Sequence, residues 1–523
     1  MRFLFALLYL LPALLFSQEQ PDLIITNGRI VDGTGNSWYK GDVAVKGDKI
    51  LMVSRGFQLV QRFPNAMVID AKNRIVAPGF IDVHAHIEGG VFERPTADNY
   101  IYDGVTSVVT GNCGGAADDL AAFFRQIDSV KTSINVASLA GHNTIRRLGM
   151  GLENRTATPA EMKTMEALMQ QAMEDGAVGL SSGLIYLPGM YSPTEEIVAL
   201  AKIAAAYGGV YATHMRNEGI NVHKAIQETL AIGRQASIPV QISHFKLSGN
   251  INWGRSKETL GMVIQARREG IDVTIDQYPY TASSTNLAVT LPDWALEGGL
   301  DSLRVKMKDP QQRKKILDDM KHSLESGKRK DYSYAVVANF YADSSYNGKS
   351  ISQINLEQGR KKKFINEANT ILDMLALSNA QMIYHTMSEK DLVHFMQYPF
   401  NMPAADGGVI TGKGMPHPRG YGTNARVLSK YVREDKVIGL EEAIRRMTSL
   451  PAAKFNLPDR GLIMENKYAD ILVFDENTIQ DMSVYDQPHQ FSKGMDYVIV
   501  NGTVVLEDGK HKGLRTGRAL RSR

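Results

Sequence analysis

The chain has 523 residues and a mass of 57.8 kDa, more than one compact core usually holds, so two or more structural units are expected. Hydrophobic residues at 43% and charged residues at 22% are ordinary for a globular protein, and a formal charge of +3 is too small for this length to mark a nucleic-acid partner. A single cysteine, Cys113, excludes any internal disulfide.

In chain order, residues 1–17 read as a secretory signal peptide. Arg2 supplies the charged start, Phe3 to Phe16 is almost unbroken apolar sequence, and Ser17 offers a small residue for cleavage before Gln18-Glu19-Gln20. An apolar run of about 14 residues is short for crossing a bilayer, and no later stretch is long enough to span. The mature protein is therefore expected to be exported, and periplasmic in a Gram-negative source. A free thiol there would be open to oxidation unless a metal held it.

Short β-rich runs with Asn-Gly and Gly-Asp turns follow, as in Leu23-Ile24-Ile25-Thr26-Asn27-Gly28. The same style returns in Asp470-Ile471-Leu472-Val473-Phe474 and Tyr497 to Leu506. Residues 18–77 and 456–523 are thus expected to build one small β-sandwich domain. The basic ending, Gly509 to Arg523, reads as a solvated tail.

Between these ends, residues 78–455 alternate short apolar strands with helical stretches, the pattern of an α/β fold with a parallel (β/α)8 barrel. Candidate strands lie at 79–84, 106–112, 134–140, 177–182, 209–214, 239–244, 272–278, 381–386 and 400–405. That is one too many for eight, so one lies outside the barrel. The alternation breaks at about 291–358, where a charged helical segment is expected to form an inserted lid.

Chemistry-bearing residues fall at the ends of these strands, where barrels build their active sites. His84 and His86, at i and i+2 on a strand, project from one face and can meet one ion. Cys113 lies in Thr110-Gly111-Asn112-Cys113-Gly114-Gly115, an open strand-to-loop turn. His214, His244 and Asp406 close three later strands. Four histidines, a thiolate and a carboxylate suit zinc, bound as one ion or two, with an aspartate moving the proton. Lys246 and Arg419 follow ligand-bearing strand ends and suit a substrate carboxylate. His142, in Gly141-His142-Asn143, is expected to be structural or to support a ligand.

The sequence resembles the D-aminoacylase (N-acyl-D-amino-acid deacylase) family of the amidohydrolase superfamily. The resemblance rests on Pro78-Gly79-Phe80-Ile81-Asp82-Val83-His84-Ala85-His86, Gly111-Asn112-Cys113-Gly114, and Gly183-Leu184-Ile185-Tyr186-Leu187-Pro188. It continues through Thr213-His214-Met215-Arg216-Asn217-Glu218, Ser243-His244-Phe245-Lys246, Asp276-Gln277-Tyr278-Pro279-Tyr280, Pro416-His417-Pro418-Arg419 and Ala469-Asp470-Ile471-Leu472-Val473-Phe474. These segments run from about residue 22 to 510 in the family's order.

The resemblance implies a metal-dependent amidohydrolase acting on N-acyl-D-amino acids, giving a carboxylate and a free D-amino acid. Cys113, His214 and His244 match the tight zinc site; His84, His86 and Asp406 match a second, weaker one. Asp406 is also the implied general base and acid. Lys246, Tyr278, Ser284 and Arg419 match positions that hold the substrate's α-carboxylate, and Tyr186 one near the scissile amide. Two departures stand out: Ile87-Glu88 after the histidine pair, where acidic residues directly follow in the family, and Ala405 where serine is usual. The alternatives are an exported dipeptidase or cyclic-amide hydrolase of the same superfamily and, in a different class, a catalytically inactive binding barrel.

Overall fold

The computed structural model describes residues 19–522; the expected signal peptide lies outside them. Both chain ends build one nine-stranded sheet. Strands Leu23–Ile30, Tyr39–Lys46, Lys49–Arg55, Met67–Asp70 and Ile75–Pro78 come from the first part of the chain. Ile471–Phe474, Met495–Val500, Thr503–Glu507 and Lys510–His511 come from the last. The halves join where Ile75–Pro78 runs antiparallel to Ile471–Phe474. A bridge from Lys49 to Tyr468 brings the far edge of the sheet back toward its middle. The sheet thereby wraps a core of Leu23, Ile25, Val43, Val76, Ile471 and Ile499, as two faces of a sandwich would.

The barrel is made of Phe80–Asp82, Val105–Thr110, Asn135–Ser138, Gly179–Gly183, Val210–His214, Val240–Ile242, Val273–Gln277 and Asn401–Pro403. Neighbours pair in parallel, and Ala140–Gly141 carries the third strand on to meet the fourth. A parallel bridge between Ala85 and Gly407 links the first strand to the last. These strands are buried on both faces, inward against each other and outward against helices. They therefore lack the buried–exposed alternation of a strand with one face in water.

The surplus strand candidate is 381–386. Gln381–Tyr384 lies antiparallel between Ser283–Asn286 and Ala335–Asn339, in a three-stranded sheet of the lid. A short apolar run carries no mark of the sheet it will join, so the local pattern could not separate it from a barrel strand. The lid is also longer than 291–358. Its own core runs from Leu287 through Leu303, Ile316, Phe340 and Ile371 to Tyr384. Helix Phe364–Leu377, which imitates a barrel helix in its apolar spacing, packs there too. The insertion follows the seventh strand and returns over the barrel's C-terminal end, where Thr386 O accepts from Gly249 N and Trp253 Nε1, both at 2.9 Å.

The basic ending is not a solvated tail. Gly517 N donates to Thr132 O, Val136 N to Arg518 O, Leu520 N to Val136 O and Ser522 N to Gly176 O. Ala519 pairs in parallel with Val136 of the third barrel strand. The charge pattern carries no sign of this docking because the backbone, not the side chains, makes these contacts, while Arg521 pairs with Asp128 at 2.8 Å.

Candidate metal centre

All six expected ligands come together at the C-terminal mouth of the barrel. His84 and His86 follow the first strand, Cys113 the second, His214 closes the fifth, His244 follows the sixth and Asp406 the eighth. Three of them stand on backbone that side-chain-bearing residues rarely adopt: Cys113 has φ 53°, His244 36° and Asp406 48°. Left-handed residues of this kind cost on the order of 1–3 kcal/mol and persist where a function needs the direction they impose. Gly111 (φ 74°) begins the turn that swings Cys113 inward.

The donor atoms converge. His84 Nε2 lies 3.3 Å from Cys113 Sγ and 3.4 Å from Asp406 Oδ1. His86 Nε2 lies 3.2 Å from the same carboxylate oxygen. Cys113 Sγ is 3.6 Å from His244 Nε2 and 3.8 Å from His214 Nδ1, and those two nitrogens are 2.7 Å apart. The donors form three overlapping sets: His84, His86 and Cys113; Cys113, His214 and His244; His84, His244 and Asp406. A mixed thiolate, imidazole and carboxylate set fits zinc.

The electrostatics agree with ligation. Burial pushes His214 and His244 well below the usual imidazole range, keeping both neutral with a lone pair to give. Burial raises the Cys113 thiol, so the ligating thiolate needs a cation beside it. Burial opposes charge on His84, but Asp276, Cys113 and Asp406 outweigh it and push this ring up to about 10. A proton there answers the same surplus of negative charge that a divalent cation would. For Asp406, burial is outweighed by Arg419, which holds the carboxyl well below the usual range.

Two carboxylates that the motif reading assigned no role turn the rings. Asp276 Oδ1 sits 3.1 Å from His84 Nδ1 and accepts from His244 N at 2.7 Å; its other oxygen accepts from Gln241 at 2.7 Å. Glu218 lies 3.0 Å from His244 Nδ1. Partners of this kind set which ring nitrogen faces a metal. Their only sequence signal was membership of the segments Asp276-Gln277-Tyr278 and Thr213 to Glu218. Glu88, part of the departure after the histidine pair, accepts from Thr110 Oγ1 at 2.6 Å and Gly111 N at 2.7 Å, so it pins the turn that carries Cys113.

The substrate-binding candidates line the same cleft, a cavity of about 1420 Å³ roofed by the lid. Arg419 Nη2 pairs with Asp406 Oδ2 at 2.9 Å, and its guanidinium stacks on Tyr278 at 4.5 Å from the ring centre. Arg419 Nη1 is buried with no hydrogen-bond partner among the described residues. Lys246 Nζ lies 5.9 Å from the Tyr278 ring and donates to Glu218 Oε1 at 2.5 Å. Tyr278 OH donates weakly to Met387 Sδ at 3.7 Å. Ser284 also lines the cleft; its hydroxyl donates to Met382 O at 2.8 Å within the lid sheet, and its carbonyl oxygen accepts from Arg419 Nη2 at 3.3 Å. Tyr186 OH stands 3.4 Å from His214 Nδ1 and 2.8 Å from Thr285 Oγ1. Burial keeps that phenol protonated. His142 lies outside the cluster, with Nε2 2.9 Å from Glu196 Oε1.

Comparison with known proteins agrees with this geometry. The model of the amidohydrolase family Amidohydro_3 matches residues 67–296 and 413–506, pausing across most of the lid. N-acyl-D-glutamate deacylase of Alcaligenes xylosoxydans xylosoxydans is 33% identical over 96% of this chain and 97% of its own length. D-aminoacylase of the same organism is 33% identical over 96% and 98%. Among solved structures, N-acyl-D-glutamate deacylase from Bordetella bronchiseptica, complexed with zinc and a phosphonate mimic of the tetrahedral intermediate, superposes with a TM-score of 0.82 at 32% identity, covering 96% of this chain and all of that one. With its metal-ligand set gathered at the mouth of a closed barrel, this chain belongs to the amidohydrolase family, in the group that contains D-aminoacylase, and is a metal-dependent amide hydrolase.

Proposed function

We propose that the enzyme hydrolyses N-acyl-D-amino acids to a carboxylate and a free D-amino acid. The observation that carries this reading is Arg419: a buried guanidinium in the wall of the cleft beside the ligand cluster, with Nη2 on Asp406 and Nη1 without a hydrogen-bond partner among the described residues. An unpaired buried donor is costly, and a planar carboxylate satisfies it. Tyr278 and Lys246 border the same point. The D configuration rests on relatives named for D-glutamate, D-aspartate and D-amino acids.

Cys113, His214 and His244 would hold zinc tightly, and His84, His86 and Asp406 a second, looser ion, since the His86 side chain is 37% exposed. When bound, the metal supplies Lewis acidity that lowers the pKa of water and polarises a carbonyl. Asp406 Oδ1, between His84 and His86, accepts the proton of the attacking water and returns it to the departing amine nitrogen. Arg419, Lys246 and Tyr278 hold the α-carboxylate and so orient the amide toward Asp406. Tyr186 directs its O–H at the scissile carbonyl oxygen, where negative charge develops.

Primary-amine release from matched N-acetyl-D and N-acetyl-L amino acids, with zinc, tests this reading. Hydrolysis confined to the D series is expected; hydrolysis only of dipeptides or cyclic amides would overturn it. We also propose export through cleavage after residue 17, which N-terminal sequencing of the protein recovered from periplasm checks. Among the described residues no helix is long and apolar enough to cross a membrane.

A further inference from the structure

Glu218 has more claimants than it can serve. Its side chain is only 12% exposed. Oε1 meets Lys246 Nζ at 2.5 Å and His244 Nδ1 at 3.0 Å. Oε2 stands 3.7 Å from His214 Nε2, beyond hydrogen-bonding distance. That nitrogen is buried and has no hydrogen-bond partner among the described residues. Yet both rings turn their other nitrogens, His214 Nδ1 and His244 Nε2, toward Cys113 and each other, so Nε2 of His214 and Nδ1 of His244 must carry the protons when the pair ligates. A ligating imidazole that donates to a carboxylate is oriented and made more basic.

The backbone around Glu218 is held. Its carbonyl accepts from Ser248 N at 2.8 Å, and Asn217 Oδ1 accepts from Gly219 N and Asn221 N, both at 2.9 Å. Redistribution is therefore confined to the carboxylate end of the side chain. Lys246 Nζ also donates to His244 O at 2.9 Å and stands 2.8 Å from His244 Nδ1, so the ammonium and that ring compete for Oε1.

We propose that Glu218 is a positioning residue shared between the lysine of the carboxylate clamp and the two imidazoles of the tight metal site, so that withdrawing Lys246 lets Glu218 complete its bond to His214 and tightens the hold on zinc. On the reading that Lys246 binds the substrate's α-carboxylate, substrate does transiently what loss of the lysine does permanently. Metal retention and substrate engagement are then coupled through one carboxylate.

The test needs no substrate, so it stands apart from the assignment of the reaction. Full-length zinc-loaded protein is mixed with a chromophoric chelator, and the rate of zinc release is followed for wild type, Glu218→Gln, Lys246→Met and the double variant, with thermal midpoints recorded alongside. Glu218→Gln should weaken zinc binding about 10- to 100-fold, read mainly as faster release. Lys246→Met should release zinc more slowly than wild type, and the double variant at the rate of Glu218→Gln alone. Wild-type release from Glu218→Gln would overturn the proposal. So would slowing by Lys246→Met that persists in the Glu218→Gln background, because the lysine's charge would then act on the imidazole directly. If Glu218→Gln does not fold, Glu218→Asp replaces it: shortened by one methylene, it should also lose zinc faster, and unchanged release would again refute the sharing.

Discussion

Two buried histidine clusters lie at the same end of this barrel, and only one is built for metal. His142, at the head of helix His142–Met150, sets Nε2 against one oxygen of Glu196, while Arg146, one turn along, takes the other. All three side chains are almost fully buried, and each carboxylate oxygen already has its cation or ring. In the metal centre the arrangement is inverted. Ring nitrogens and the thiol point at each other, down to 2.7 Å between His214 and His244, and carboxylates sit behind the rings as well as beside them. Paired opposites close a site; converging lone pairs leave room for a cation. Both clusters follow strand ends in the sequence, so position alone does not tell them apart.

That contrast can be broken from either side. A strong chelator should take activity to background while leaving the barrel folded by circular dichroism; retained activity in metal-free protein would remove the basis of the comparison. Asp406→Asn should lower kcat by about 100- to 10,000-fold. Bound zinc measured by elemental analysis should stay close to wild type, because Cys113, His214 and His244 remain. Cys113→Ala should instead lose that tightly held zinc.

At the closed cluster the effect is on stability. Glu196→Gln strands Arg146 in the interior and should cost about 3–5 kcal/mol in denaturant unfolding, without altering zinc content. Its pH dependence has a defined sign. Burial raises Glu196, but His142 and Arg146 outweigh it and hold the carboxyl below its usual 4.5. The stabilisation is therefore present above pH 4.5 and fades as pH falls through the lower folded-state value, so the gap between wild type and Glu196→Gln should narrow in acid. The smallest effect is expected on the opposite face. Removing residues 516–523 deletes the backbone bonds to Thr132, Val136 and Gly176 and should cost about 2 kcal/mol, with kcat unchanged.

Much of the site was legible before folding was considered. Barrel strands end in runs short enough to read, and a His-x-His pair, a glycine-flanked cysteine and two strand-end histidines are residue types with few uses in common. The arginine and lysine suited to a carboxylate were legible for the same reason. Ser284 was less so: which way its hydroxyl turns depends on Met382, 98 residues on, across the lid sheet. The lid's extent was hidden because its third strand and last helix carry the same local patterns as a barrel repeat.

By itself the sequence determined the fold class, the order of the strands and the chemical nature of the ligands, since these follow from local periodicity and side-chain type. Only the tertiary structure decided which nitrogen of each ring faces the metal, because that depends on acids brought from far along the chain, such as Asp276 to His84 across 192 residues. It decided equally that Glu218 would stand between a lysine and two imidazoles, and that a basic tail would lie against the barrel floor. Closing the barrel sets these distances, and nothing in a linear pattern records which side chains closure will bring together.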